Sequence, residues 1–176
     1  PTGADHSFIP SSFVPGQASF WRCPHCRGVL ACRKETLECL TCDDHFGQVD
    51  GIPDLRIPGE SWIDFEEDLA IAREVAATDL PLEDLVRSIY ARRPGWEEGL
   101  IRLRTRQVLA APERLHEDVA GWLAEATSED SWLDLGCGPG MLLAAAADMK
   151  RSGYGIGVDV SMTWLVVAKR LIAAHG

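Results

Sequence analysis

The sequence predicts an α/β protein in which a small cysteine-rich unit and a helical segment precede a strand–helix–strand–helix portion. Three observations lead to this fold class. Two C-x2-C pairs lie near the beginning, apolar residues recur at helical spacing through the middle, and a glycine-rich turn follows a short apolar strand near the end. The expected organisation is a flexible lead at 1–19, a cysteine-paired unit at 20–58, a helical segment at 59–130 and the strand–helix portion at 131–176.

Composition and charge exclude some classes of protein. No apolar run reaches the roughly 18–20 residues that span a bilayer, and the N-terminal residues lack the basic and apolar regions of a signal peptide. We therefore expect a cytoplasmic protein with no membrane partner. The net charge is -10, and 59–130 carries seventeen acidic against eight basic residues. Such a surface repels RNA unless its arginines segregate.

The arginines of this segment do cluster, and they have two interpretations. We expect a solvated helix face on which acidic residues pair with them. The alternative is a local patch that grips an anionic acceptor. The six residues are Arg87, Arg92, Arg93, Arg102, Arg104 and Arg106.

The middle segment predicts four helices, each with a recognisable start or break. Ser61 can cap the first helix, Pro81 fits the first turn of the second, and Pro112 opens the fourth, which continues to Leu123. The third helix lies between them, over 100–109.

The two cysteine pairs predict a structural metal site. Each pair can fold as a tight knuckle, and twelve residues separate the pairs. Zinc favours four such thiolates in a tetrahedron, which leaves no open position for catalysis. A unit of this size has too little core to be stable alone, so the metal would contribute folding energy. Disulfides and an iron–sulfur or redox site are the alternatives. The predicted ligands are Cys23, Cys26, Cys39 and Cys42.

Other cysteines and histidines nearby receive weaker assignments. His25 and His45 could each replace a cysteine ligand, with His45 the better candidate, although a surface position is expected for both. Cys32 and Cys137 lie outside the pairs and are predicted to pack in the interior.

The residues around the pairs extend the pattern beyond the ligands. Phe46 and the segments 27–30 and 49–55 flank the knuckles. Together they resemble the zinc ribbon of small activator proteins that bind and stabilise RNA and translation-factor methyltransferases. The same ribbon is also found fused ahead of bacterial methyltransferase domains. The resemblance covers 23–55 and implies a ribbon with a structural zinc ion.

The glycine-rich turn near the end of the chain predicts a nucleotide-type cofactor site. A short apolar strand, 132–135, leads into the turn, and an alanine-rich helix follows from Met141. Glycines let the backbone approach a ligand, and the N–H groups at the helix start point into the crevice. Met141 stands where a dinucleotide fingerprint requires Gly or Ala, and the Gly-Lys-Ser/Thr of a P-loop is absent.

The pattern Asp134-x-Gly136-x-Gly138-x-Gly140 resembles motif I of class I S-adenosylmethionine methyltransferases. The resemblance implies an incomplete Rossmann-like unit in which Asp134 orients the methionine end of the cofactor and the glycine loop wraps its sulfonium and sugar. Asp159 ends the second strand, nineteen residues after Gly140, and a carboxylate there can accept both ribose hydroxyls. The implied cofactor-binding residues are Asp134, Gly136, Cys137, Gly138, Gly140, Asp159, Val160 and Met162, with Ser161 also beside the adenine.

The sequence holds two of the seven strands of such a domain. We expect either a fragment of a longer protein or a partner that completes the sheet, and the catalytic residues stay unassigned. The expected function is a methyltransferase that uses S-adenosylmethionine on a small-molecule or RNA acceptor. The alternative is a non-catalytic zinc-ribbon interaction or activator module with a degenerate or partner-completed cofactor fold. A nucleic-acid-binding ribbon would need a basic surface, but 20–58 has five basic and six acidic residues.

Overall fold

A computed structural model describes residues 21–33, 36–57, 59, 63–123, 130–149 and 154–176. The predicted lead at 1–19 and the predicted cap Ser61 lie outside them. The chain separates into two compact units, Pro1–Phe65 and Glu66–Gly176, each with a core of its own. The described residues confirm a mixed α/β composition. None of their helices is long and apolar enough to cross a lipid bilayer.

The first unit contains a four-stranded antiparallel sheet with the strand order β1-β2-β3-β4. A two-residue turn, Asp50-Gly51, joins the last two strands, and both residues have positive φ, 52° and 76°. Positive φ at both positions is what a type I′ hairpin turn requires. Leu30, Leu37 and Phe46 form the core with two of the paired cysteines. The strands are β1 Leu30–Arg33, β2 Thr36–Cys39, β3 His45–Val49 and β4 Ile52–Pro53.

The second unit opens with a helical region that largely follows the predicted pattern. The prediction of one helix from Pro112 to Leu123 is wrong, because the chain forms two short helices there. The Leu115 N–H is shared between the carbonyls of Ala111 and Pro112, at 2.9 and 3.2 Å, and this tightened turn ends the first of them. The helices are α1 Phe65–Ala77, α2 Leu82–Ala91, α3 Glu98–Leu109, α4 Ala111–Arg114 and α5 His116–Trp122.

The last part of the second unit is a strand–helix–strand–helix arrangement with parallel strands. The two glycines of the second strand let the intervening helix pack closely: a Cβ at Gly157 would lie 2.5 Å from Leu143. The helix thus covers one face of the strand pair. On the other face Leu133 and Leu135 are 55% and 74% exposed. The elements are β5 Ser131–Leu135, α6 Met141–Asp148, β6 Tyr154–Val158 and α7 Met162–His175.

Candidate functional site

The four paired cysteines converge on one point in the first unit. Their Sγ atoms all lie within 4.8 Å of one another. Cys23 and Cys42 are 3.6 Å apart, and Cys26 and Cys39 are 3.4 Å apart. Four thiolates at about 2.3 Å from a zinc ion would be separated by about 3.8 Å. The donor set and its spacing therefore suit a tetrahedral zinc ion.

In each knuckle a backbone N–H group donates to one cysteine sulfur. The Gly28 N–H donates to Cys26 Sγ across 3.3 Å, and the Thr41 N–H donates to Cys39 Sγ across 3.4 Å. Burial opposes ionisation of Cys39, but the N–H groups of Cys42 and Thr41 lower its pKa to about 6. This ligand is thus largely a thiolate at neutral pH.

A carboxylate and an imidazole lie beside the cysteine cluster. Asp44 Oδ2 is 2.6 Å from His25 Nδ1 and accepts from the Cys42 thiol at 3.1 Å. This thiol contact is the main reason why the pKa of Cys42 is raised. It also lowers the pKa of Asp44, with His25 acting in the same direction. Cys23, His25 and Asp44 therefore form a second group of ligand-type atoms that shares one cysteine with the first.

Both histidines are exposed, as expected. His45 is exposed, 3.9 Å from Glu38, and belongs to neither ligand group, whereas His25 belongs to the second. Of the two, the sequence favours His45 as a replacement ligand. Folding of the first knuckle brings His25 to Asp44 instead, and adjacency along the chain does not reveal that contact. Cys32, as predicted, lies outside the cluster and is half-buried.

The glycine loop lies at the carboxyl end of β5 and is held to β6. The N–H groups of Gly136 and Cys137 both donate to the Val158 carbonyl, at 2.8 and 3.1 Å. Gly136, Gly138 and Gly140 all have positive φ, between 51° and 75°, which favours glycine at each position. At Gly140 an added Cβ would also lie 2.7 Å from the Ala168 Cβ.

Asp159 connects the end of β6 to this loop. Its Oδ2 accepts from the Gly138 N–H and its Oδ1 from the Ser161 N–H, both at 2.8 Å. A carboxylate oxygen can accept more than one hydrogen bond, so both oxygens retain capacity for ligand hydroxyls. The predicted site residues at the two strand ends are thus brought together.

Burial and the charge of Asp159 together raise the pKa values of two further predicted site residues. Burial, and then the charge of Asp159, raise the pKa of Asp134. Burial, followed by the charges of Asp159 and Asp134, raises the pKa of Cys137 to about 12. The Cys137 thiol is therefore neutral at physiological pH, which suits packing and not nucleophilic catalysis.

The remaining predicted cofactor residues lie at the start of α7. Val160 is half-buried, and the Met162 side chain is only 2% exposed. Sequence reasoning missed Asp68 of α1, whose Oδ2 accepts from the Met162 N–H at 2.7 Å. No local signal marks Asp68, because it is one of three acidic residues in a helical first turn and its partners follow more than ninety positions later.

The arginine cluster follows the expected pairing with acidic residues. Arg87 is 2.7 Å from Glu98, which also lies 3.9 Å from Arg102, and Arg92 pairs with Glu74. Arg93 lies over the Trp96 ring, 4.9 Å from its centroid. These contacts neutralise or engage four of the six guanidinium groups.

No protein-family model matches the chain, and no curated protein sequence matches it significantly.

Proposed function

We propose that this chain binds S-adenosylmethionine at the carboxyl ends of β5 and β6 and belongs to a methyltransferase. The observation that carries the proposal is the pairing of Asp159 with the glycine loop through Gly138. A ribose seated there would meet a carboxylate on one side and glycine backbone on the other. Motif I and a carboxylate at the end of the following strand are the sequence features that favour this cofactor over a dinucleotide.

In this proposal the residues of the chain bind the cofactor and orient it. Asp159 accepts ribose hydroxyls, and Asp134 lies near the methionine end. The raised pKa of Asp134 places its ionisation closer to neutrality than that of an ordinary aspartate, so cofactor affinity should fall as the pH is lowered through the acidic range. When bound, the sulfonium supplies an activated methyl group for in-line transfer to a nucleophile, and the protein contributes positioning.

We further propose that the cysteine cluster holds a structural zinc ion. Four thiolates at tetrahedral spacing support this, and they leave no ligand position for a substrate. Metal analysis of purified protein should give one zinc per chain. Replacing Cys23 with Ser should abolish stoichiometric zinc, whereas replacing Cys32, which lies outside the cluster, should leave it unchanged.

A small molecule is the acceptor class that the charges favour. The net charge is -10, and the clustered arginines are largely engaged by acidic and aromatic side chains. An RNA acceptor would need free cationic surface. Titration with structured RNA at low salt is expected to give no saturable binding.

One observation favours the alternative function, a non-catalytic interaction module. Leu133 and Leu135 expose an apolar face of the strand pair, and such faces mark interaction surfaces in many proteins. On this alternative the cofactor crevice would be degenerate or completed by a partner.

Calorimetric titration of S-adenosylmethionine into zinc-loaded protein tests the main proposal. Replacing Asp159 with Ala removes charged hydrogen bonds to the ribose and should weaken binding by about tenfold or more. Asp84→Ala is the control, because Asp84 is an exposed carboxylate in the first turn of α2. Equal affinity of the wild type and Asp159→Ala would refute the assigned site. No binding to the wild type at millimolar concentration would favour the interaction module.

A further inference from the structure

Helix α1 holds the start of α7 through one carboxylate. Asp68 Oδ1 accepts from the Ser161 hydroxyl at 2.7 Å and from the Thr163 N–H at 3.4 Å, while its Oδ2 accepts from the Met162 N–H at 2.7 Å. The Asp68 carbonyl also accepts from the Thr163 hydroxyl at 3.0 Å. A residue more than ninety positions away thus caps the first turn of α7.

The capping interactions occupy the donors at this helix end. Ser161 Oγ, while donating to Asp68, accepts from the Trp164 N–H at 3.3 Å. The N–H groups of the first three helical residues therefore all have acceptors within the protein. A phosphate would find no unpaired N–H there and would face the Asp68 charge. The paired N–H groups and the Asp68 charge therefore disfavour a phosphate at this end of α7.

The same contacts reach the proposed ribose ligand. The Ser161 N–H donates to Asp159 Oδ1, and the Ser161 hydroxyl donates to Asp68. Ser161 is thus held from both sides, and the orientation of Asp159 depends on where Asp68 holds the turn. Two intervening hydrogen bonds separate Asp68 from the place where a ribose would lie.

The far end of α1 is attached to α7 as well. Arg170 donates to the Val75 carbonyl at 3.1 Å and to the Thr78 carbonyl. These carbonyls are at or beyond the last turn of α1, where a cation is favourable. Since Asp68 holds the beginning of α7 and Arg170 lies in the second half of that helix, α1 is attached to α7 near both of its own ends.

We infer that Asp68 is a positioning residue of the cofactor site, which sets the Asp159 carboxylate for a nucleoside with free ribose hydroxyls through Ser161. The inference rests on the proposed function for the identity of the ligand. Asp68 itself touches no ligand in this role. Its contribution is to keep the turn between β6 and α7 in one conformation, so that binding does not have to order it.

The decisive variant is Asp68→Asn, which keeps the shape of the side chain. Its NH2 group must face either the Met162 N–H or the Ser161 hydroxyl and the Thr163 N–H, so in both orientations a donor replaces one charged acceptor. Affinity for S-adenosylmethionine should fall about tenfold. In an Asp159→Ala background, Asp68→Asn should reduce the affinity only slightly further, because both residues act on the contact between Asp159 and the ribose. Asp84→Asn removes the same charge from the first turn of another helix and should leave affinity unchanged.

Hydrogen exchange without cofactor separates this inference from the proposed function. In Asp68→Asn the Met162 and Thr163 amides should exchange about tenfold faster than in the wild type. If the amides of Asp68→Asn exchange faster but the wild type binds no S-adenosylmethionine, the proposed ligand is refuted. The role of Asp68 in holding the turn is then retained. Unchanged exchange, or an affinity loss fully additive with that of Asp159→Ala, would overturn the inference. Thermal melting of each variant shows whether an effect is merely loss of folded protein.

Discussion

At the residue scale, the contact between Asp44 and Cys42 contributes to the pH response of the cysteine cluster, and the raised pKa of Cys26 acts in the same direction. Metal binding requires thiolates. Cys39, with a pKa of about 6, is already ionised at neutral pH, whereas Cys42 keeps its proton because it donates to Asp44. An incoming zinc ion must therefore displace the Cys42 proton throughout the neutral range. Zinc affinity should fall as the pH is lowered, and it should already do so above pH 7.

Replacing Asp44 with Asn should raise zinc affinity at pH 7 and flatten its pH dependence between pH 7 and 9. The amide removes the charge that retains the Cys42 proton, and its NH2 group can donate to the thiolate. Competition with a chromophoric chelator at several pH values measures this. Asp43→Asn is the matched control, because it removes the same charge from the adjacent residue, and Asn tolerates the positive φ of 58° at Asp43. Weaker zinc binding by Asp44→Asn at pH 7 would mean that Asp44 assists metal loading.

At the scale of elements, the packing of α6 on α7 depends on a missing side chain. Gly140 is the N-cap of α6 and has a left-handed φ of 72°, and a Cβ at this position would lie 2.7 Å from the Ala168 Cβ. Both the backbone conformation and the space demand glycine. Gly140 is also the last glycine of the proposed cofactor loop. The same residue must therefore be glycine both for the loop conformation and for the packing of α6 on α7.

Gly140→Ala should destabilise the second unit by about 2–4 kcal/mol, through left-handed strain and overlap with the Ala168 Cβ. Gly99→Ala is the control. A Cβ at Gly99, within α3, meets nothing within 4 Å, so this change should be neutral or stabilise by up to about 1 kcal/mol. Urea unfolding monitored by circular dichroism measures both. Equal stability of the two variants would show that α7 yields readily at this contact.

At the scale of the whole molecule, the two units should respond differently to loss of metal. The first unit buries Leu30, Leu37 and Phe46 with two of its own cysteines. Structural zinc contributes an apparent free energy of about 10–16 kcal/mol in small peptides, more than the roughly 3–5 kcal/mol from the core of a small domain. The second unit has a separate core that includes Val119 and Ala145.

Chelation of zinc should therefore unfold the first unit and leave the second folded. Hydrogen exchange resolved by peptide should lose protection over 21–57 while α6 and α7 keep theirs. Cys23→Ser should reproduce the result without chelator, and Cys32→Ser should not. Loss of protection in α7 on chelation would show that the second unit needs a folded ribbon.

The parts of this protein that could be predicted from its sequence are those marked by a recognisable motif. The C-x2-C pairs and the glycine-rich loop followed by Asp159 are motifs whose residue types and spacing indicate which side chains converge, although Cys23 and Cys42 lie nineteen positions apart and Gly138 and Asp159 twenty-one. Only the tertiary structure placed His25 and Asp44 beside the cysteines, divided the helix after Pro112 into two, and brought Asp68 to α7. Those contacts join residues that no motif connects, or depend on how an element packs. Their partners are selected by the geometry of the folded chain, which local sequence patterns do not encode.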